Sequence, residues 1–409
     1  MSNGVVSART VRGRPGIVAA LAVTQTVGYG VLYYVFGVFL GPMSDDLRIS
    51  PVTAAGAMTV SVLISGALSV PIGRWLDVRG GHGLMTAGSL LGSCSVIAWS
   101  QVQSAVQLYV AFAGIGVASS MVLYAAASAV LVNVLEPARR SRALLAVTLV
   151  AGLGSTIFIP LAGQLVDRVG WRDALLVLAL LHNVVTVPLH LIALRGTARA
   201  SRSTATGNAH DQAVVARALR DAGFWLLTIG FVLHNAAIAV VTVHLVFYLV
   251  ASGHSPTVAA GLAGLLGIFS VAGRIVIAVL QRWLPLTSVA PGIFLLQGAA
   301  IAVLPAVDRF PIGALACVTV FGFGFGFAAL ATPVILLDRY GVSGFATISG
   351  YLATPVFVAR ALAPLGAAVI AAGSGYRLLM LPVVVACFLA SLCLSLTWYL
   401  PASKAMKAH

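Results

Sequence analysis

The sequence predicts an all-α membrane protein of twelve transmembrane helices, arranged as two pseudo-symmetric six-helix bundles with both termini in the cytoplasm. Three observations predict it: a composition too apolar for water, apolar runs that recur along the whole chain, and an internal repeat at a constant offset. Of 409 residues, 60% are hydrophobic and 8% charged, whereas an ordinary soluble domain is about 25% charged. A soluble chain of this length would expose more polar area than ten acidic and 24 basic residues supply. One large soluble core would need helices apolar on every face, which lipid accommodates and water does not.

Spans are expected near 17–41, 52–73, 83–101, 106–132, 142–165, 173–194, 223–250, 256–281, 286–307, 311–337, 345–372 and 376–400. Each is long enough to cross about 30 Å of hydrocarbon. The first run is too long for a signal-peptide core and lacks a small-residue cleavage site, so it is expected to stay as the first helix. With the N-terminus inside, seventeen basic residues fall on the cytoplasmic side, among them Arg9, Arg74, Arg139, Arg217, Arg339 and Lys404. Five fall outside, namely Arg48, Arg168, Arg172, Arg309 and Arg377, while Arg274 and Arg360 lie within spans. The positive-inside rule thus accounts for the net charge of +14, places the chain in the cytoplasmic (inner) membrane, and makes a nucleic-acid partner unnecessary. Cys94, Cys317, Cys387 and Cys393 all sit in apolar spans, where packing is the expected role, with no disulfide or metal site.

The halves align on one another. Ser50-Pro51-Val52-Thr53-Ala54-Ala55-Gly56 opens span two, and Ser255-Pro256-Thr257-Val258-Ala259-Ala260-Gly261 opens span eight, 205 residues later. The same offset carries Gly170-Trp171-Arg172 onto Gly375-Tyr376-Arg377, and Pro160-Leu161 meets Pro364-Leu365 at 204. The expected organisation is a six-helix half at 1–194, a cytoplasmic linker at 195–222 with a short surface helix over Asp211–Arg220, and a second half at 223–409. Duplicated halves place a substrate site between them near mid-membrane.

Between spans two and three stands Gly73-Arg74-Trp75-Leu76-Asp77-Val78-Arg79-Gly80-Gly81-His82. It resembles the loop signature of the major facilitator superfamily, Gly-x-x-x-Asp-x-x-Gly followed by basic residues. Glu136-Pro137-Ala138-Arg139-Arg140-Ser141-Arg142 at the four–five loop, the duplicated architecture and the long central linker look like that superfamily too. Gly273-Arg274 in span eight is similar to the monocarboxylate transporters and the bacterial oxalate/formate antiporters, which keep an essential arginine on that helix. Two departures stand out. Ser270 occupies the place of an aspartate of the animal monocarboxylate transporters, and Tyr34 or a neighbour replaces their helix-one lysine. The resemblance implies alternating-access transport of a small mono- or dicarboxylate, coupled to protons or to anion exchange, by a monomer in lipid without a cofactor. It also implies gating roles for Asp77, Arg74, Arg139 and Arg142, the aspartate pairing with loop arginines and a helix N-terminus when the cytoplasmic side is shut.

An arginine within a span costs about 2.5–3.5 kcal/mol on insertion scales, so one that persists needs a purpose. Arg274 lies about 11 Å below the inner surface, at the limit of snorkelling. Facing the cavity, its planar fork would pair bidentately with a carboxylate; facing the headgroups, it would pack or gate. Arg360 lies too deep to snorkel, and every acidic residue is in a loop or at a span end. The oxalate/formate antiporters resemble this arrangement, although their second cation stands about one turn earlier than Arg360 does from Pro364. The two arginines converge on a dicarboxylate or serve different states. Gln25, Tyr29 and Tyr33 recur every four residues on helix one, making a polar stripe. The offset maps Tyr29 onto His234, which either lines the same cavity or packs between helices, and Asn235 and Tyr124 are further polar candidates. His182, Asn183 and His244 read as packing or interfacial groups. The Phe-Gly alternation at 321–327 is a packing and bending device, not a phosphate cradle, because no Lys-Ser/Thr follows it.

The competing functions are export of a drug-like amphiphile and a non-transporting receptor of transporter fold. An enzyme is disfavoured by the lack of a metal cluster, nucleophile–base pair or phosphate loop in the sequence.

Overall fold

The computed structural model describes residues 15–195, 205–280, 283–284 and 286–400. Every regular element among them is helical: α1 Pro15–Tyr29, a π-helical turn Gly30–Tyr34, α2 Phe36–Leu47, α3 Pro51–Arg79, α4 His82–Ser100, α5 Ala105–Val122, α6 Tyr124–Val134, α7 Pro137–Ala151, α8 Gly154–Ala193, α9 Ala205–Arg220, α10 Ala222–Ala251, α11 Pro256–Leu280, α12 Leu286–Val307, α13 Pro311–Phe325, α14 Phe327–Tyr340 and α15 Phe345–Tyr399. Ten continuous helical stretches are long and apolar enough to cross a membrane. Two of them are too long to cross only once. The stretch Pro137–Ala193 has 57 residues and Phe345–Tyr399 has 55, and each turns back at a glycine, Gly170 (φ 79°, ψ 168°) and Gly375 (φ 80°, ψ 164°). Only glycine adopts such angles without strain, so these two residues make the five–six and eleven–twelve turns and bring the crossings among the described residues to twelve.

The repeat is written in the backbone. Gly170 and Gly375 share φ and ψ at an offset of 205, and Arg48 (φ 53°) and Gly253 (φ 103°) share the left-handed turn at the same offset. Ser50 and Ser255 cap α3 and α11 by accepting from the amides of Thr53 and Val258, with proline next in line where a missing N–H costs nothing. Arg172 donates to the carbonyls of Ser100 and Val102 beyond α4, and its repeat partner Arg377 pairs with Asp308 beyond α12.

Packing follows the same plan. One buried cluster is built from spans one to six around Trp99, Phe112 and Phe158, another from spans seven to twelve around Tyr248 and Phe321, and a third joins both halves through Leu76, Leu131, Phe327 and Phe345. The outer surface carries large apolar side chains such as Leu180, Val184, Ile192 and Val369, each more than half exposed, as lipid contact demands.

Four expectations change. The signature segment is helix up to Arg79 and not loop, because α3 runs on past Pro71 with no further proline and ends only at Gly80 (φ 74°). The linker helix is longer than 211–220 and begins at Ala205, and its Ala218 is fully buried, so it is docked against the body. Cys94 is exposed rather than packed, since it falls on the outward face of α4. Spans one, four, five and ten are broken, at Gly30–Tyr34, Leu123, Gly152–Leu153 and Gly326. The expected linker residues 196–204, Arg282 and the two chain ends lie outside the described residues.

Candidate functional site

The breaks in spans one, four and five meet. Unwinding a helix in lipid frees backbone carbonyls, which then need donors from neighbouring side chains. Gln25, fully buried on α1, donates from Nε2 to the Val122 carbonyl at the span-four break (2.7 Å). Thr26 donates to the Val150 carbonyl (3.0 Å) beside the span-five break. Gly154 faces the Thr26 carbonyl at a distance at which even a Cβ would be tight. The half of the molecule made by spans one to six is thereby pinned around one irregular point near mid-span.

Tyr29, Tyr33 and Tyr34 crowd that point, with ring centroids 5.4–6.5 Å apart. Tyr29 and Tyr33 line a cavity of about 880 Å³, measured to its open mouth, between the halves. Its walls mix apolar side chains such as Leu32, Met58 and Leu123 with the hydroxyls of Tyr124, Ser61, Ser65 and Ser120 on one half, and hold Ser349, Phe357 and Arg360 on the other. Arg360 donates to the Tyr33 hydroxyl (3.2 Å) and its guanidinium stands 6.0 Å from the Tyr33 ring centroid. Arg360 makes no ion pair among the described residues. A cation so placed, with neutral hydroxyls and apolar side chains around it, gives the cavity a positive potential.

Arg274 is elsewhere. It is not in the cavity wall; it lies in the seam between α7, α11 and α14. Its Nη1 donates to the Thr148 carbonyl (3.2 Å), its guanidinium fills the space left open by Gly152 and Gly326, and its Nε is buried without a partner. The arginine therefore bridges the breaks of spans five and ten. Thr148 also donates to the Tyr124 hydroxyl (2.6 Å), which links this seam to the cavity wall. Tyr34 lies within electrostatic reach of both arginines.

Two further candidates are displaced from the cavity. His234 is fully buried and stacked on Phe294 (centroids 3.9 Å, 15°), because its face of α10 turns toward α12 rather than inward. Asn235 donates to Phe231 one turn back on its own helix. Residues missed in the sequence are the serines of α3 and α5. Their signal was a run of small hydroxyls, Ser61, Ser65 and Ser69, at helical spacing.

One end of the cavity is shut. Asp77 accepts from the amides of Ala346 and Thr347 and from the Thr347 hydroxyl (3.1, 2.8 and 2.7 Å), an anion seated on the N-terminus of α15. Such charge-assisted bonds are worth about 1.5–3 kcal/mol each. Above this clasp the backbones touch through small residues. Gly73 packs on the Ala346 carbonyl, Gly350 on the Ser69 carbonyl, and Thr354 donates to the Gly66 carbonyl (2.9 Å). Arg74 donates to the Tyr351 hydroxyl (2.9 Å). Arg139 and Arg142 are exposed on α7 rather than bonded into the closed end, and the neighbouring Arg140 binds the Leu135 carbonyl instead. Among the described residues, the hydrogen bonds between the halves run from the Asp77 end up to Tyr33–Arg360.

The sequence model of the Major Facilitator Superfamily matches residues 22–364. An MFS-type efflux pump of Mycolicibacterium smegmatis is 30% identical over 178 residues, which span 43% of this chain and 40% of that protein. Among solved structures, the E. coli fucose:proton symporter FucP has a TM-score of 0.72 at 12% identity, covering 94% of this chain and 96% of that one. The human organic anion transporter MFSD10 (TETRAN) scores 0.69 at 14% identity, covering 93% of this chain and 100% of that one. The proton:xylose symporter XylE scores 0.70 at 10% identity, covering 92% and 94%.

Proposed function

Because the chain belongs to the Major Facilitator Superfamily, we propose that it is an alternating-access transporter of a small organic anion, held by one carboxylate on Arg360. The observation that carries this reading is a lone guanidinium in a largely apolar cavity whose other polar lining consists of tyrosine and serine hydroxyls. A bidentate carboxylate on the fork leaves the serines to bind hydroxyls of the substrate, so lactate is the natural probe. Because Arg274 lies outside the cavity wall, the monocarboxylate reading takes precedence over a dicarboxylate bridging both arginines. Kinship with the monocarboxylate transporters and oxalate/formate antiporters is part of the same proposal.

In this reading the Asp77 end is cytoplasmic, as are both termini, and the membrane is the inner one. Residues 1–194 and 223–409 rock about the cavity, with 195–222 as their tether. Release of Asp77 from the α15 N-terminus opens the cytoplasmic side, and Arg274 holds the broken helices in register during the motion.

A second reading is export of a drug-like amphiphile, favoured by the partial match to an efflux pump. Thermal-shift measurements on the purified protein separate the two, since only ligands of the native state raise its melting temperature. Stabilisation by lactate, lost in Arg360→Gln, supports the anion reading. No response to lactate, oxalate or malonate, together with stabilisation by a cationic amphiphile, would replace it with the second.

A further inference from the structure

A second polar system lies inside the first half, away from the cavity mouth. His182 and His190, two turns apart on α8, are 0% and 2% exposed. His190 Nδ1 meets the Ser89 hydroxyl (2.7 Å) and its Nε2 the Thr24 hydroxyl (3.1 Å). His182 Nδ1 meets the Ser93 hydroxyl (2.9 Å). At the Asp77 end of the same column, the partly buried His82 reaches the Leu191 carbonyl with Nε2 (3.2 Å).

Counting hydrogens assigns the tautomer of the inner ring. Ser93 has one hydroxyl proton, and the Ser89 carbonyl lies in position to accept it (3.1 Å). The Ser93 oxygen then accepts from His182 Nδ1–H, which leaves Nε2 as a bare lone pair. That nitrogen is buried and has no hydrogen-bond partner. A nitrogen of this kind costs about 1–3 kcal/mol unless another state of the protein uses it.

The surroundings connect it to the cavity. The Cε1 of His182, the Leu32 side chain and the Ala118 methyl all crowd the notch where Gly92 lacks a Cβ. Leu32 also lines the cavity. It belongs to the π-helical turn whose next residue, Tyr33, holds Arg360. A ligand pulling on Arg360 and Tyr33 therefore pulls on the side chain packed beside the imidazole. Among the described residues the ring's hydrogen-bond partner is Ser93 of α4; α1 presents Thr24 and α4 presents Ser89 to His190, while α2 carries its acids, Asp45 and Asp46, at its far end. His190, two turns away on α8, lies close enough for its charge to act on the ring.

We propose that His182, seated at the inner end of the His190–Ser89–Ser93 column, is the proton-binding site that couples proton movement to transport; the proposal rests on the transport reading above. A proton taken at Nε2 makes an imidazolium whose Nδ1–H already has its acceptor in Ser93. Its new Nε2–H finds no hydrogen-bond acceptor while the Asp77 end is closed. Closure therefore expels the proton, and opening, by moving the π turn, readmits it.

The test has two arms. In proteoliposomes, lactate counterflow at equal pH and lactate movement driven by a pH step are measured for wild type, His182→Gln and Ser93→Ala. His182→Gln should keep counterflow within about twofold and lose about tenfold or more of the driven movement, as expected when a coupling group and not a binding group is removed. Ser93→Ala, which leaves the ring in place, should shift the pH at which driving is half-maximal. Undiminished driving in His182→Gln, or a wild type that exchanges lactate but ignores the pH step, overturns the proposal and leaves the transport reading standing. The second arm needs no substrate. In full-length protein labelled with ¹⁵N-histidine, the signal absent from His182→Gln should be neutral near pH 6 in wild type and charged there in Asp77→Asn, where the closed end is released. A signal titrating identically in both proteins overturns the proposal, whatever lactate does.

Discussion

The two arginines inside the membrane have the same chemistry and opposite settings. Arg360 stands in the cavity wall with a tyrosine hydroxyl and ring as its described partners. Arg274 is wedged between α7 and α14, bonded to a main-chain carbonyl and pressed into two glycine notches. One charge faces an open cavity, and the other donates to the backbone where two helices break. The difference teaches that the cost of a buried cation does not identify its role, because discontinuous helices consume donors as readily as substrates do.

Five substitutions and a change of pH probe this contrast and its surroundings, from the largest effect to the smallest. Arg360→Gln should lower lactate transport by about 100-fold, since a charge-assisted bidentate pair worth about 3 kcal/mol is lost. Uptake or exchange in proteoliposomes measures it, and near-normal rates would move the anion site elsewhere. Arg274→Lys keeps the charge but not the planar fork that spans Gly152 and Gly326. It should slow transport about tenfold and lower the melting temperature while leaving affinity unchanged. Gly326→Ala, which drives a methyl into the Arg274 Nε, should mimic it.

Asp77→Asn should slow turnover several-fold with little change in equilibrium binding, because the carboxylate clasps α15 far from Arg360. Loss of binding with unaltered cycling would contradict that assignment. The mildest effect concerns the opposite end, where Asp308 accepts from Tyr248 (2.6 Å) and Ser252 (2.9 Å) and pairs with Arg377. Burial opposes its ionisation, but those hydrogen bonds and the guanidinium outweigh burial and hold the carboxyl below the usual carboxylate range. A depressed acid stabilises the fold above its unfolded pKa of about 4 and loses that contribution as pH falls through the folded value. The melting temperature should therefore drop on acidification below about pH 4, and Asp308→Asn should flatten the drop.

Much of the fold was legible because lipid enforces simple rules. Span positions and the repeat at Ser50/Ser255 and Gly170/Gly375 need only hydropathy and an offset. The cavity was half legible. Tyr29, Tyr33, Tyr124 and Arg360 were found by spacing and by burial cost, while Arg274, His234 and Asn235 point elsewhere. Their misplacement has one cause: a helix's rotation about its axis is set by packing, and an apolar span carries no amphipathic stripe to reveal it. The breaks at Leu123 and Gly152 were hidden as well, because their freed carbonyls are satisfied by Gln25 and Thr26 from another helix.

The most direct test of the account is calorimetric affinity for lactate in wild type, Arg360→Gln and Arg274→Gln, with folding checked by melting temperature. The account predicts that Arg360→Gln loses about 10- to 100-fold in affinity, whereas Arg274→Gln stays within about threefold of wild type. Equal losses in the two variants, or the larger loss in Arg274→Gln, would contradict the assignment of Arg360 as the anion anchor.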